Sequence, residues 1–279
     1  MPSKVELNKK VLIYDVELSK GIYYAFPSFK PVRLNISDKI QGQFMLSAAW
    51  RWWGEEEITM VSVLDDKRRF RRDHSDDYHV VKELHKVFSE ADIVVGHHVD
   101  GFDTKHLAFL SYIHDLPPLP TVHSIDTLKQ ARRRFKNDSL SMDEIAKRRS
   151  LTHKTDVPNK NKVWNDATSG CPIAIQTIAD YNIEDIHVQT EMFEDMLPWM
   201  VSIPSLHLVE GRDNVNRVCQ ACGETEDLNW NGYSYNKTRT TKYRRFRCKS
   251  CGKEGTDKSI NLLSKAYLKA QELIGVDND

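Results

Sequence analysis

Lys10-Val11-Leu12-Ile13-Tyr14-Asp15-Val16-Glu17 is an apolar run that stops abruptly on acids. That is how a buried strand reads when its end delivers side chains to a site. A strand repeats every two residues, so Asp15 and Glu17 point to the same face. Downstream, Phe44 to Trp53 and Ile58 to Leu64 are β-rich runs around Gly54-Glu55-Glu56-Glu57, the signature of a hairpin. Ile93-Val94-Val95, closed by Gly96, and Val122 to Ile125 read as two further short strands. Between and after these lie helical patterns over Tyr78–Ser89 (Val81, Leu84, His85 and Phe88 on one face), Thr104–Tyr112 and Leu128–Phe135. Ser141-Met142-Asp143-Glu144 resembles a capping box opening a helix to about Arg149, and another helical pattern runs from Ile173 towards Leu197, bent near Asn182. The polar stretch 152–170 and the basic run Lys67 to Arg72 read as loops. Hairpin strands followed by strands alternating with helices predict an α/β fold, a mixed sheet flanked by helices.

The 279 residues are 40% hydrophobic, enough for a full core and a smaller second domain. A charged fraction of 29% and the lack of an apolar run of spanning length argue against a membrane protein. Met1-Pro2-Ser3-Lys4-Val5-Glu6-Leu7 is too polar for a secretory signal, so a cytoplasmic location is expected. Net charge is zero, yet lysines and arginines come in runs while acids stand at isolated points. Pro198 and Pro204 precede a change to cysteine, aromatic and basic residues, predicting two domains, 1–204 and 205–279. Ser259 to Ile274 reads as a closing helix.

Three acidic contexts occur in one order. Asp15-Val16-Glu17 is the first. Gly96-His97-His98-Val99-Asp100-Gly101-Phe102-Asp103 follows a buried strand and sets Asp103 at a helix start. In Tyr181-Asn182-Ile183-Glu184-Asp185, i, i+4 spacing stacks Tyr181 and Asp185 on one helix face. Each acid alone is most simply a solvated side chain, and Asp103 alone a helix cap. Four clustered carboxylates raise one another's pKa, a cost that divalent cations remove, and hard oxygen ligands suit magnesium or manganese.

Together these segments resemble the three exonuclease motifs of the DEDD superfamily, tyrosine branch, as found in the proofreading domains of family B DNA polymerases. The resemblance spans roughly residues 8–200 and includes Ser124-Ile125-Asp126-Thr127-Leu128 ahead of a helix. It implies an RNase H-like fold, with Asp15, Glu17, Asp103 and Asp185 binding two Mg2+ or Mn2+ and Tyr181 positioning the attacking water. The implied reaction is hydrolysis from the 3′ end of single-stranded or frayed nucleic acid, DNA favoured over RNA. The implied partners are single-stranded DNA or RNA with a free 3′ end, and replication or repair proteins. His98 stands where the family usually has Asn, which puts the terminal-nucleotide contacts of His98 and Phe102 in question. His97 with His98 could alternatively belong to a transition-metal site. Asp100, Asp126 and Glu184 are read as bystanders, Asp126 mattering for structure. An RNase H-like endonuclease and a non-catalytic nucleic-acid-binding adaptor are the competing readings.

Of five cysteines, four form Cys219-Gln220-Ala221-Cys222-Gly223 and Cys248-Lys249-Ser250-Cys251-Gly252. Two such pairs with a hairpin-length insert predict one structural Zn2+ on Cys219, Cys222, Cys248 and Cys251, in a zinc-ribbon module over about 215–256. Two pairs outside a βαβ context argue against a redox dithiol. Cys171 reads as a small half-buried hydrophobe. The insert interleaves basic and aromatic residues, from which Tyr235, Lys242, Arg245 and Arg247 are expected to contact nucleic acid. The bland alternative is a tiny aromatic core kept soluble by charge. For Lys67 to Arg72 and Arg132-Arg133-Arg134 a solvated face is the default, though the first could guide a strand to the site.

Overall fold

The computed structural model describes residues 9–26, 35–152, 157–204, 206 and 218–261, with side chains described up to residue 256. The described chain falls into two compact units, one of residues 9–196 and one whose described part begins at Leu197.

In the first unit β1 (Val11–Leu18) is central, which explains its unbroken apolar run: Leu12, Ile13 and Tyr14 are fully buried. A small pair, β2 (Ile22–Tyr23) and β3 (Lys39–Gln41), follows it. The expected hairpin is present as β4 (Met45–Trp52) and β5 (Thr59–Ser62). Then come α1 (Lys67–Arg72), α2 (Tyr78–Ser89), β6 (Ile93–Gly96), α3 (Asp103–Ile113), β7 (His123–Asp126) and α4 (Thr127–Arg134). The unit closes with α5 (Met142–Arg149), α6 (Lys160–Thr168) and α7 (Pro172–Met196). The five-stranded sheet has order β5-β4-β1-β6-β7, with β4 antiparallel and β6 parallel to β1. Tyr14 meets Phe88 of α2 and Thr104 of α3, whereas its neighbour Asp15 meets Asn182 of α7. Adjacent strand residues face opposite ways, so helices cover both faces of a mixed sheet, as expected.

Four local expectations are corrected. The first strand does not stop at Asp15; it continues to Leu18, with Asp15 opposite Ala49 and Glu17 opposite Ser47. Lys67–Arg72 is a helix, because the Asp66 carboxylate accepts the N–H groups of Arg68 (3.1 Å) and Arg69 (3.0 Å) and caps it. The stretch expected as a loop over 152–170 holds α6, whose Trp164, Ala167 and Thr168 are buried in a mostly polar sequence. The expected bend near Asn182 does not interrupt α7, which is one continuous helix; Asn182 is wholly buried and donates its amide to Asp15. Cys171 is half-buried against the core, as a small hydrophobe would be.

In the second unit β8 (Leu228–Tyr235), β9 (Thr241–Cys248) and β10 (Glu254–Asn261) form an antiparallel sheet, with β9 central. Residues 259–261 are therefore strand rather than the start of the expected helix, and 262–274 lie outside the described residues. Each Cys-x-x-Cys ends in a left-handed glycine, Gly223 (φ 76°) and Gly252 (φ 75°). Their N–H groups return to the carbonyls of Cys219 and Cys248, both at 2.9 Å, so the two knuckles share one geometry.

Candidate metal-binding cleft and cysteine centre

The period of β1 sends Asp15 and Glu17 to the α7 side of the sheet, and Asp185 arrives there from the fourth turn of α7. One carboxylate oxygen from each of these three residues lies within 4.8 Å of the other two. They open into a cleft of about 310 Å3 whose wall also carries Asp103, His98, Phe102 and Tyr181. Asp103 stands outside the tight three-acid set but in the same cleft. It is the first residue of α3, and its Oδ1 accepts the Val16 N–H at 3.2 Å, so it faces β1 rather than capping its own helix.

The turn between β6 and α3 owes its shape to Asp126. That buried carboxylate accepts N–H groups from His98 (3.2 Å), Asp100 (3.4 Å) and, as the cap of α4, Lys129 (3.0 Å). The turn is tight enough for His98 to take φ 75°, and a Cβ on Gly101 would collide with the His98 ring. Asp126 thus has a structural part, while Asp100 is occupied by Lys129 at 2.7 Å. His97 has Thr127 Oγ1 at 2.9 Å from one ring nitrogen and the Leu140 carbonyl at 3.1 Å from the other. Neither histidine joins a metal-ligand cluster among the described residues.

Burial pushes the Asp103 carboxyl up to about 7, and the neighbouring Asp126 charge adds to the shift. Burial, then the Asp103 charge, holds the Tyr14 hydroxyl well above its usual range. A divalent cation beside such an acid would favour the carboxylate and displace its proton into solvent. The donor set fits a hard divalent metal: all oxygen, closely gathered, at one end of an open cleft.

Two lining residues carried no signal in the sequence. Lys160, at the start of α6, donates to Tyr181 Oη at 3.3 Å, and its ammonium also lies 4.6 Å from the Tyr181 ring and 4.8 Å from that of Trp164. Met142 of α5 closes another part of the wall. A helical reading of Val163, Trp164 and Ala167 as one apolar face would have placed Lys160 on a helix.

No family model matches the sequence, and no curated protein matches it. Among solved structures, the chain is similar to the family B DNA polymerase from the hyperthermophilic archaeon Pyrobaculum calidifontis. Identity is 16% and the TM-score 0.49, over 68% of this chain and 25% of the polymerase. The chain thus spans a quarter of that protein's length. Similarity at this level assigns no activity, and the chemistry rests on the site's own residues.

The cysteine centre belongs to the second unit. One Sγ from each of Cys219, Cys222, Cys248 and Cys251 lies within 4.8 Å of the other three. Cys219 and Cys251 are 3.5 Å apart and Cys222 and Cys248 3.6 Å, far beyond a disulfide bond. Zn–S bonds of about 2.3 Å in a tetrahedron put sulfurs about 3.8 Å apart. The four thiols fit zinc.

The four residues expected to contact nucleic acid do not share a surface. Tyr235 pairs across the ladder with Lys242, so both lie on one face of the ribbon sheet. Arg245 and Arg247 alternate to the other face, where Arg245 binds Glu254 at 3.1 Å. Phe246 is buried, as expected of an inward aromatic. No described helix is long and apolar enough to cross a membrane.

Proposed function

We propose that this protein is a metal-dependent 3′→5′ exonuclease acting on single-stranded or frayed nucleic acid, DNA favoured over RNA. A ribbon held by one structural Zn2+ on Cys219, Cys222, Cys248 and Cys251 completes it. The observation that carries the reading is the convergence of Asp15, Glu17 and Asp185 within 4.8 Å in a cleft that also presents Asp103 and Tyr181. Three of these acids alone would bind a cation; the phenol beside them gives the site a second, directional function.

Asp15, Glu17, Asp103 and Asp185 would hold two Mg2+ or Mn2+, which when bound activate water and stabilise the departing oxygen of an in-line displacement. The Tyr181 hydroxyl orients the attacking water by hydrogen bonding. Lys160 donates to that same hydroxyl, occupies a lone pair of its oxygen and so leaves the O–H to point at the water. The Lys160 charge also offsets the cleft's acids where a phosphate must enter. His98 and Phe102, on the turn that Asp126 pins, line the same cleft, and Phe102 would offer a ring for the last nucleotide to stack on. Structurally, the zinc centre is closed by four thiolates and takes no part in hydrolysis.

The test compares two 5′-labelled strands in magnesium, one with a free 3′ hydroxyl and one with a blocked 3′ end. Stepwise shortening of the first and survival of the second supports an exonuclease. Internal cuts in the blocked strand would establish the endonuclease reading instead. Binding of both without loss of label would leave an adaptor.

A further inference from the structure

The face of the ribbon sheet that carries Tyr235 and Lys242 holds more than those two residues. Between Trp230 and Tyr233 the register shifts: Trp230 stands opposite Phe246 but Tyr233 opposite Arg244, so β8 has one extra residue there. Gly232, at φ 65°, takes the left-handed conformation that such a bulge needs. Simple alternation would put Trp230 and Tyr233 on opposite faces, and the bulge puts Trp230, Tyr233 and Tyr235 on one. Lys242 and Arg244 share it: the Lys242 ammonium lies 3.7 Å from the Tyr233 ring centre and the Arg244 guanidinium 3.7 Å from that of Trp230.

Trp230, Tyr233 and Tyr235 remain 39%, 50% and 52% exposed, which is unusual for three large rings in a row. Leu228, Phe246 and Cys248 on the same face are buried in a small core at the zinc end, and Trp230 meets Phe246 of that core edge-on, with centroids 5.8 Å apart. No carboxylate lies on this face among the described residues of β8 and β9, whereas Glu254 answers Arg245 on the other. Ring rows two residues apart along a strand repeat at about 6.8 Å, close to twice the 3.4 Å step of stacked bases. Each cation is held against its ring before any ligand arrives, which limits the side-chain freedom lost on binding.

We propose that this face, Trp230, Tyr233, Tyr235, Lys242 and Arg244, is a binding platform for single-stranded nucleic acid. Bases stack on the rings and phosphates lie at the two cations. The opposite face, with Arg245 and Arg247, is not part of it. The platform is sequence-tolerant, because every base has a face to stack.

The test is fluorescence anisotropy of a 5′-fluorescein oligothymidylate titrated with the full chain, without magnesium or manganese so that no strand is cut. Trp230→Ala and Tyr235→Ala should each weaken binding roughly 5- to 100-fold. Trp230→Tyr, which keeps a ring, should stay within about 3-fold of the wild type. The double change Lys242→Gln with Arg244→Gln should lower the log–log salt slope by about 1.4, as two phosphate contacts on a single strand require. Arg245→Gln with Arg247→Gln should change affinity less than about 2-fold. Zinc content, measured on every variant, should remain one per chain. The proposal is overturned if the Arg245/Arg247 pair costs as much as Trp230→Ala, or if polyphosphate, which has no bases, binds as tightly as the oligonucleotide. It is overturned equally if zinc-loaded Trp230→Ala and Tyr235→Ala bind like the wild type. Hydrolysis does not enter these readings, so an absent exonuclease activity would leave their outcome unchanged.

Discussion

Asp103→Asn should make the metal-free protein more stable at pH 8 while removing its activity. The carboxyl is 3% exposed, and burial raises it from an ordinary 3.8 to about 7. The sign follows from proton counting. Above about pH 4 the unfolded chain gives up this proton while the folded chain keeps it, so stability falls as pH rises and stops falling once pH passes about 7. The full difference corresponds to about 4 kcal/mol. Half of it, about 2 kcal/mol, moves the melting temperature of a unit this size by roughly 4–8 °C. Asparagine keeps the shape and an acceptor for the Val16 N–H but never ionises. Calorimetry of magnesium-free protein should therefore show the variant melting several degrees above the wild type at pH 8, with most of that advantage gone near pH 4.5. Saturating magnesium should reverse the order, because only the wild type gains the full binding stabilisation. A variant that melts no higher at pH 8, or whose advantage is the same from pH 4.5 to 8, would refute the argument from buried charge.

Asp15→Ala and Asp185→Ala should each abolish hydrolysis while circular dichroism and strand binding stay close to wild type; near-normal turnover in either would remove that residue from the metal set. Tyr181→Phe should slow turnover about 100-fold or more with manganese affinity unchanged, read by single-turnover kinetics and calorimetric titration. Cys219→Ser or Cys251→Ser should lose the zinc, checked by elemental analysis, and unfold the ribbon locally while the cleft still cuts short strands. Burial lifts the Cys251 thiol to about 11, so zinc uptake should release protons and weaken as pH falls, seen as buffer-dependent heats.

The parts of the site that lay in short periodic segments were readable in advance. Period two gave the shared face of Asp15 and Glu17, and helical spacing gave the pairing of Tyr181 with Asp185. What no local pattern could supply was that these segments meet; that expectation came from a family resemblance, and the 4.8 Å grouping now gives it a geometric form. Lys160 is hard to place from sequence because α6 buries only Trp164, Ala167 and Thr168 of a mostly polar stretch, a weak apolar pattern for a helix. Charge makes Lys67–Arg72 read as a loop, whereas the capping Asp66 decides its backbone. In the ribbon the cysteine spacing identified the centre, but the faces of the sheet depended on a bulge at Gly232 that alternation cannot foresee.

A time course with magnesium on matched 5′-labelled DNA and RNA strands addresses the central claim most directly. The account predicts a ladder that shortens one nucleotide at a time from the 3′ end, faster on DNA and absent with Asp15→Ala. Internal fragments, or a ladder that Asp15→Ala still produces, would contradict it.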